Sequence, residues 1–526
     1  MDPRNSTRRA IWTSISCIAL AVALFLLTSG QRERHLLLNT LYLVGCPCVL
    51  AVPVGTYLAG LIARTDLPLK KIFGVIVVVA LFFPLYTQTA AWQAGFGQQG
   101  WSVHWLDGWR GAVWIHTVAA VPWVAVIVSV GLRQIEPQLE EAALLHGTQT
   151  RVLWGVTLRR SWFSILAATM WVAVLTAGEF TVTDMWWLRT YAEDIFRGFA
   201  VGETPETVAF GLLPSLGATA ALLTATLFVL HHALLDEYRT PTRQLWLYTL
   251  GPLRWANFVV VAVILFCLVG VPLTNLVIQL GLVVEQLPEG GLKRKWSAGH
   301  ACEMLLYSVW EFRREVLWSL GTSVVAATGA LLVAIAPAWF AQERSWRVWP
   351  MIALAAVLFA LPGPVMGLCI SWLFNWPNWS WLNFLYDRSI LAPTIALAFR
   401  ALPLVMMVVW YALRSVPQKA LDAAALDEAS RWDQLIWIAL PQRLPALGAA
   451  WLMGLAIALG DLAASFLVLP PGASPLSRRI FEEVHYGVPD RIAGITLVTM
   501  LMTSAIVLAA LALLYVSTRG KERSTW

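Results

Sequence analysis

From Ile11 to Tyr515 this chain is built of uninterrupted apolar runs, one after another, each about twenty residues long. That is the length a helix needs to cross the hydrocarbon of a bilayer, where the backbone must satisfy its own hydrogen bonds. The runs are continuous rather than alternating, which excludes an outer-membrane barrel. With 58% hydrophobic and 13% charged residues, the chain also has too little polar surface for a soluble globule. The expected fold is an all-α polytopic membrane protein with about 12 transmembrane helices.

The runs predict spans at Ile11–Ser29, Leu36–Ala63, Ile72–Trp92, Ala112–Leu132, Trp162–Val182 and Val208–Val229. The remainder are Phe258–Leu280, Leu317–Ala341, Val348–Phe374, Ile390–Leu413, Leu444–Val468 and Ile492–Tyr515. Arg4, Arg8 and Arg9 precede the first run as they would in a signal peptide. It lacks a small-x-small cleavage site and is followed at once by another span, so it reads as an anchor. Basic residues in the connections favour both termini on the cytoplasmic side. The exception is one longer outer loop carrying Lys293, Arg294, Lys295, Arg313 and Arg314. The net charge of +6 is read as this membrane bias rather than as a nucleic-acid footprint. Many of the 29 Trp fall at span ends and read as interfacial anchors.

Six cysteines are scattered, five in apolar runs and Cys302 in a polar loop, and imply no disulfide framework. Cys46-Pro47-Cys48 resembles the intramembrane motif of heavy-metal pumps. Those pumps need a cytoplasmic phosphorylation domain that no connection here can hold, so buried thiols beside a kinking proline are the better reading. No His, Cys and carboxylate cluster has metal-ligand spacing, and His231-His232 reads as a cytoplasmic interface pair.

The two halves repeat. Pro122 matches Pro403, Arg133 matches Arg414 and Glu141 matches Asp422, all at an offset of 281. Leu158 then matches Leu440, and Gly178-Glu179 matches Gly460-Asp461, at 282, with the slip placed between Gly147 and Leu158. Six spans separate the copies, so both enter the membrane in the same direction. Such parallel repeats enclose a central pathway, which is transporter or channel geometry. Each half carries one amphipathic stretch, Glu141-Ala142-Ala143-Leu144-Leu145-His146-Gly147 and Asp422-Ala423-Ala424-Ala425-Leu426-Asp427-Glu428. These are too polar to cross a bilayer and too apolar for free linkers, so they are expected to dock at the cytoplasmic surface. Glu179, Asp461 and Arg400 are ionisable groups in or beside spans. They are candidates for lining or gating a pathway, with helix-to-helix hydrogen bonding as the alternative.

The stretch from Glu141 to Leu158 resembles the cytoplasmic loop signature of binding-protein-dependent ABC importer permeases of the type I class. In that family Glu-Ala-Ala is followed by a Gly and later by Leu-Pro. The first copy keeps Glu141, Ala142, Ala143 and Gly147 but has Arg159 where Pro is usual; the second keeps Ala423, Ala424, Leu440 and Pro441, with Asp422 for Glu and Glu428 for Gly. Asn39-Thr40, Ala63 to Pro68, Leu361-Pro362-Gly363 and Leu459-Gly460-Asp461 also look like the family. The resemblance implies two fused six-helix halves. They would comprise an anchor at 1–35, a first module at 36–230, a linker with the seventh helix and outer loop at 231–316, a second module at 317–515 and a tail at 516–526. It also implies coupling loops that insert into two copies of a cytoplasmic ATP-binding subunit, and a periplasmic or lipid-anchored solute-binding protein as the outer partner. Glu428 is expected to straighten the second coupling helix.

The chain has no phosphate-binding loop, so it binds no cofactor itself; ATP and Mg would be used by the partner subunit. Pro470-Pro471-Gly472 and the segment from Arg479 to Gly487 resemble the fused iron(III) permeases, making iron(III) the first expectation for the solute. Thiamine, sulfate, polyamine or another small solute is the alternative within the class. A secondary transporter would have no use for two equivalent docking stretches. A glycosyltransferase would want paired acids in a large outer loop, whereas Glu193-Asp194 and Glu482-Glu483 sit in short connections.

Overall fold

The computed structural model describes residues 30–98, 100–102, 104–201, 248–286, 292–342, 345–376, 379–486 and 488–523. The expected spans at 11–29 and 208–229, and His231-His232, lie outside them. Among the described residues the fold is helical apart from a two-stranded hairpin, as the apolar runs require. Among the described residues seven helices are long and apolar enough to cross a membrane, or up to nine if two bent pairs each count as one span.

The chain divides into two compact units, 1–81 with 88–282, and 82–87 with 283–526. In the first, α1 (Gln31–Arg64), α2 (Lys70–Leu81), α3 (Leu85–Phe96) and α4 (Gly108–Arg133) lead to the short α5 (Pro137–Leu144). A π-helix (Leu153–Leu158), α6 (Trp162–Ala177), α7 (Tyr191–Ala200) and α8 (Gly251–Gly281) follow. Pro47 and Pro53 lie inside α1 without breaking it, and Cys48 donates to the Thr169 carbonyl at 3.7 Å. α1 packs on α4 and α6. At Gly55 a Cβ would lie 2.5 Å from Val124 Cβ, so only glycine permits the α1–α4 approach.

Past the hairpin β1 (Leu282–Gln286) and β2 (Leu292–Trp296), the second unit continues with α9 (Ala298–Glu311), α10 (Arg313–Phe340), α11 (Ser345–Ala360) and α12 (Gly363–Phe374). It goes on with α13 (Ser380–Arg388), α14 (Leu391–Arg414), the short α15 (Gln418–Leu426), a second π-helix (Gln434–Ala439) and α16 (Leu440–Gly460). α17 (Leu476–Tyr486) and α18 (Pro489–Arg523) close the chain. A column of small buried residues on α10, Ala326, Ala327, Ala330, Ala334 and Ala338, lets α14 and α16 pack close.

The structure alters four expectations. The spans expected at 72–92 and 348–374 are bent by 101° and 100°, between α2 and α3 and between α11 and α12. The breaks fall at Pro84 and Pro362, neither of which has an N–H to carry a helix through. The fifth span ends at Ala177 rather than Val182, because the chain turns at Gly178. The eleventh ends at Gly460 rather than Val468, because Asp461 takes an extended backbone. The loop that holds Cys302 is not irregular; it is the hairpin followed by α9. Glu193-Asp194 and Glu482-Glu483 lie on the amphipathic helices α7 and α17, paired with Arg197, Arg32, Arg478 and Arg479.

Candidate functional site: two coupling loops and two capping acids

Both amphipathic stretches form a short helix, a turn and a π-helix. The π-helices match residue for residue at the offset of 281, so Leu158 stands at the position of Ala439 and not of Leu440. The one-residue slip therefore falls after the π-helix rather than before Leu158. There the first copy breaks at Ser161 and the second runs straight into α16. Both copies make the wide turn although only the second carries Pro441, so proline does not cause it. Single π turns often mark functional sites.

Glu141 and Ala142 of the first copy are exposed on α5, as are Asp422 and Ala423 on α15, while Ala143 and Ala424 are half-buried. Asp422 accepts a hydrogen bond from Gln418 at 2.9 Å. The apolar side chain beside each acid is more prominent still: Leu145 is 82% exposed and Leu426, at the same repeat position, 86%. A leucine in that state has no packing role within this chain.

Glu428 does not straighten the second helix. It ends it, with a left-handed φ of 60°. Ala429 N–H bonds back to the Ala424 carbonyl at 3.0 Å and Glu428 N–H to that of Ala425 at 3.2 Å, closing the last turn in the way a glycine usually does. Beyond it Ser430 and Asp433 form a capping box that starts the next turn. Gly147, the matching residue, has no left-handed φ. Leu440 and Pro441 follow the π-helix without a break, so Pro441 sits inside the continuous helical run Arg431–Gly460 and supplies no N–H to the preceding turn.

The inner face of the first coupling helix holds a group the sequence did not single out. One residue along a helix turns a side chain by about 100°, so Glu140 faces inward where Glu141 faces out. Glu140 is fully buried and pairs with the buried Arg64 at the end of α1. It accepts from Thr157 Oγ1 of the π-helix at 2.6 Å and from Tyr248 Oη at 3.0 Å. Tyr248 is held by its backbone as well, its N–H bonding to the Arg64 carbonyl at 2.8 Å and its carbonyl accepting from Asp66 at 3.2 Å. Thr249 adds two bonds to Gln149 and Leu250 one to Asp66. Burial, with a smaller contribution from the Glu140 carboxylate, pushes the Tyr248 phenol up to about 12. The segment ahead of α8 thus closes over the first coupling loop.

The second copy has no charge at these two positions. Leu421 and Ile438 stand at the positions of Glu140 and Thr157, and both pack in an apolar cluster with Leu435 and Ala439. Trp339 Nε1 donates to the Arg431 carbonyl at 3.2 Å, and Arg443 donates to that of Ser415.

The pair Glu179 and Asp461 shares one job. Each carboxylate caps the turn after its span, Glu179 accepting from Thr181 and Val182 N–H at 2.8 and 3.0 Å and Asp461 from Ala464 N–H at 3.0 Å. Their partners differ. Arg400 Nε reaches Asp461 at 3.1 Å and its guanidinium also donates to the Leu361 carbonyl. Ala119 stands at Arg400's position in the first copy, and the buried His116, one turn away, lies 3.9 Å from Glu179. Asp461 also borders a cavity of about 20 Å³, large enough for one water, with Ser319, Thr322, Ser323 and Ser465.

Apolar spans in two repeated sets, each with an amphipathic stretch that forms a short helix, a turn and a π-helix, have the build of a membrane permease made from two halves. The chain matches the family described as binding-protein-dependent transport system inner membrane component over residues 51–239 and again over 323–523, and it belongs to that family. It is a transport subunit and not an enzyme, integral to the inner membrane, in a system that includes ATP-hydrolysing and solute-binding partners. The spermidine/putrescine transport system permease protein PotC of Escherichia coli is similar, 26% identical over 203 residues that cover 38% of this chain and 74% of that protein. The putrescine transport system permease protein PotI of the same species is 25% identical over 217 residues, 39% of this chain and 73% of its own.

Proposed function

We propose that this chain supplies both membrane halves of an ABC importer whose solute is a polyamine-like organic cation. It would work by alternating access, with two ATPase subunits docked at the two coupling loops. The observation that carries the docking is the matched exposure of Leu145 and Leu426 beside Glu141 and Asp422, at one repeat position on two otherwise different helices. Two apolar knobs of this kind, each flanked by a carboxylate, suit a partner cleft with an apolar floor and a basic rim. The polyamine assignment is supported by the relatives, which are named for spermidine and putrescine rather than for iron(III). It therefore replaces the iron(III) expectation as the leading one.

Glu179, Asp461 and Arg400 serve this reading as braces rather than as solute ligands, since each carboxylate is already taken up by backbone N–H groups. They fix the bend at which each span meets its outer helix, where alternating access requires movement without unfolding. The test is uptake into proteoliposomes holding this chain, its ATPase and its binding protein. Putrescine or spermidine uptake that requires ATP and survives an uncoupler is expected. Iron(III) uptake without polyamine uptake would overturn the solute, and uptake that ignores ATP but collapses with the proton gradient would overturn the mechanism.

A further inference from the structure

Five basic residues, Lys293, Arg294, Lys295, Arg313 and Arg314, run against the charge bias of the other connections and take no part in coupling. All five are exposed, and among the described residues none forms an ion pair. The first three are the middle residues of β2, Ser297 caps α9 by accepting from His300 N–H, and α9 meets α10 at the buried Phe312.

One face of α9 is committed to the protein. It packs against α18, with Ser308 buried, Glu311 paired to Arg491 at 3.3 Å and Arg491 lying over the Tyr307 ring. The other face carries Leu306 at 71% and Trp310 at 69% exposure, with Val309 beside them. At helical spacing this stripe continues through Arg313 and Leu317 to Val325 and Leu332, exposed apolar residues of α10. Because α10 is long and apolar enough to cross a membrane, its exposed stripe faces lipid, and the stripe on α9 is an extension of it. Where the two meet, the Arg313 guanidinium lies over the Trp310 ring at 4.4 Å and donates to the Trp310 carbonyl at 2.8 Å. An aromatic ring and a cation at the end of an apolar stripe is the arrangement of a membrane interface.

The geometry points to residues 292–317 as a binding surface for anionic phospholipid, with α9 lying in the interface, its apolar stripe at the acyl boundary and the five cations on headgroup phosphates. An acidic protein surface would satisfy the cations but not a stripe continuous with the lipid face of a span. The chemistry is the same on either side of the membrane.

The test uses the intact protein in nanodiscs of phosphatidylcholine with or without phosphatidylglycerol, with photoreactive analogues of each lipid and mass-spectrometric mapping of the labelled residues. Phosphatidylglycerol should label 292–317 in clear preference to phosphatidylcholine. Each cation near an anionic surface is worth about fivefold, so the variant Lys293→Ala/Arg294→Ala/Lys295→Ala should lose on the order of a hundredfold of that preference at an unchanged melting temperature. Trp310→Gln should reduce labelling by both lipids. Equal labelling by the two analogues, or a preference that survives the triple substitution, would overturn the inference. So would protection of the segment by an acidic solute-binding protein with no lipid labelling in its absence.

Discussion

Gly147 and Glu428 stand at the same position of the repeat, and the left-handed backbone falls on the glutamate and not on the glycine. The reason is helix length. α15 runs to Leu426 and needs a left-handed residue two positions later, whereas α5 stops at Leu144 and closes with His146 N–H on the Ala143 carbonyl. A left-handed L-residue costs about 1–2 kcal/mol, so Glu428→Gly is expected to raise stability by about 1 kcal/mol. Gly147→Ala should change little, since an added Cβ would meet only ordinary contacts at 3.6 Å and beyond. Thermal unfolding of the purified protein in detergent measures both, and a fall in the melting temperature of Glu428→Gly would refute the assignment.

The buried pair Arg64 and Glu140 predicts a strong asymmetry between single and combined changes. Glu140→Leu alone strands a buried guanidinium and should cost about 3–5 kcal/mol. Arg64→Gln/Glu140→Leu/Thr157→Ile removes both buried charges and installs at 140 and 157 the side chains that the second half has at Leu421 and Ile438, and should recover most of that loss. A triple variant no better than the single one would show that the second half's apolar solution does not transfer.

Docking through the exposed leucines predicts that Leu145→Asp and Leu426→Asp each weaken ATPase binding by about 2 kcal/mol, a roughly 30-fold loss. Glu141→Lys with Asp422→Lys should release the ATPase too, through charge. Folding should be untouched in every case, because these side chains are exposed. Co-purification at full yield from the Glu141→Lys/Asp422→Lys variant, or from a variant that combines Leu145→Asp with Leu426→Asp, would end the docking assignment for those residues.

The two capping acids should respond unequally to loss of their partners. Arg400→Gln removes a hydrogen-bonded ion pair at 3.1 Å, and His116→Gln only a contact at 3.9 Å. The first is expected to lower the melting temperature by several degrees and the second by much less. An equal effect would mean that His116 is fixed to Glu179 more firmly than its position indicates.

Tyr248 gives the first coupling loop a dependence on alkaline pH. Its phenol is raised in the folded chain from the ordinary value near 10 to about 12. The stabilisation is therefore complete below pH 10 and lost as pH rises through about 12. The protection of residues 137–144 against hydrogen exchange, taken relative to the hydroxide-catalysed rate of an unfolded chain at each pH, should fall over that window in the wild type. In Tyr248→Phe it should start somewhat lower and change less, since no phenol remains to ionise.

The bent spans show where one-dimensional reading stops. Pro84 and Pro362 were visible within apolar runs, and so were Pro47 and Pro53. Only the first two bend their helices by about 100°. The latter lie in α1, which runs unbroken past both and packs on α4 and α6. Periodicity also could not tell Glu140 from Glu141. Two adjacent acids on a helix point about 100° apart, and which of them faces inward depends on where Arg64 and Tyr248 arrive, 76 and 108 residues away in sequence.

Sequence alone determined that this chain crosses a membrane many times, that it does so in two repeated halves, and that each half carries one amphipathic stretch too polar to be a span. Hydrocarbon admits only self-satisfied helices, and a conserved offset needs no coordinates to be counted. The tertiary structure decided how each loop is held. The first closes over a buried ion pair capped by the segment before α8, and the second over an apolar cluster. Residues far apart in the chain settle that choice, by meeting in a space too small and dry for an unpaired charge.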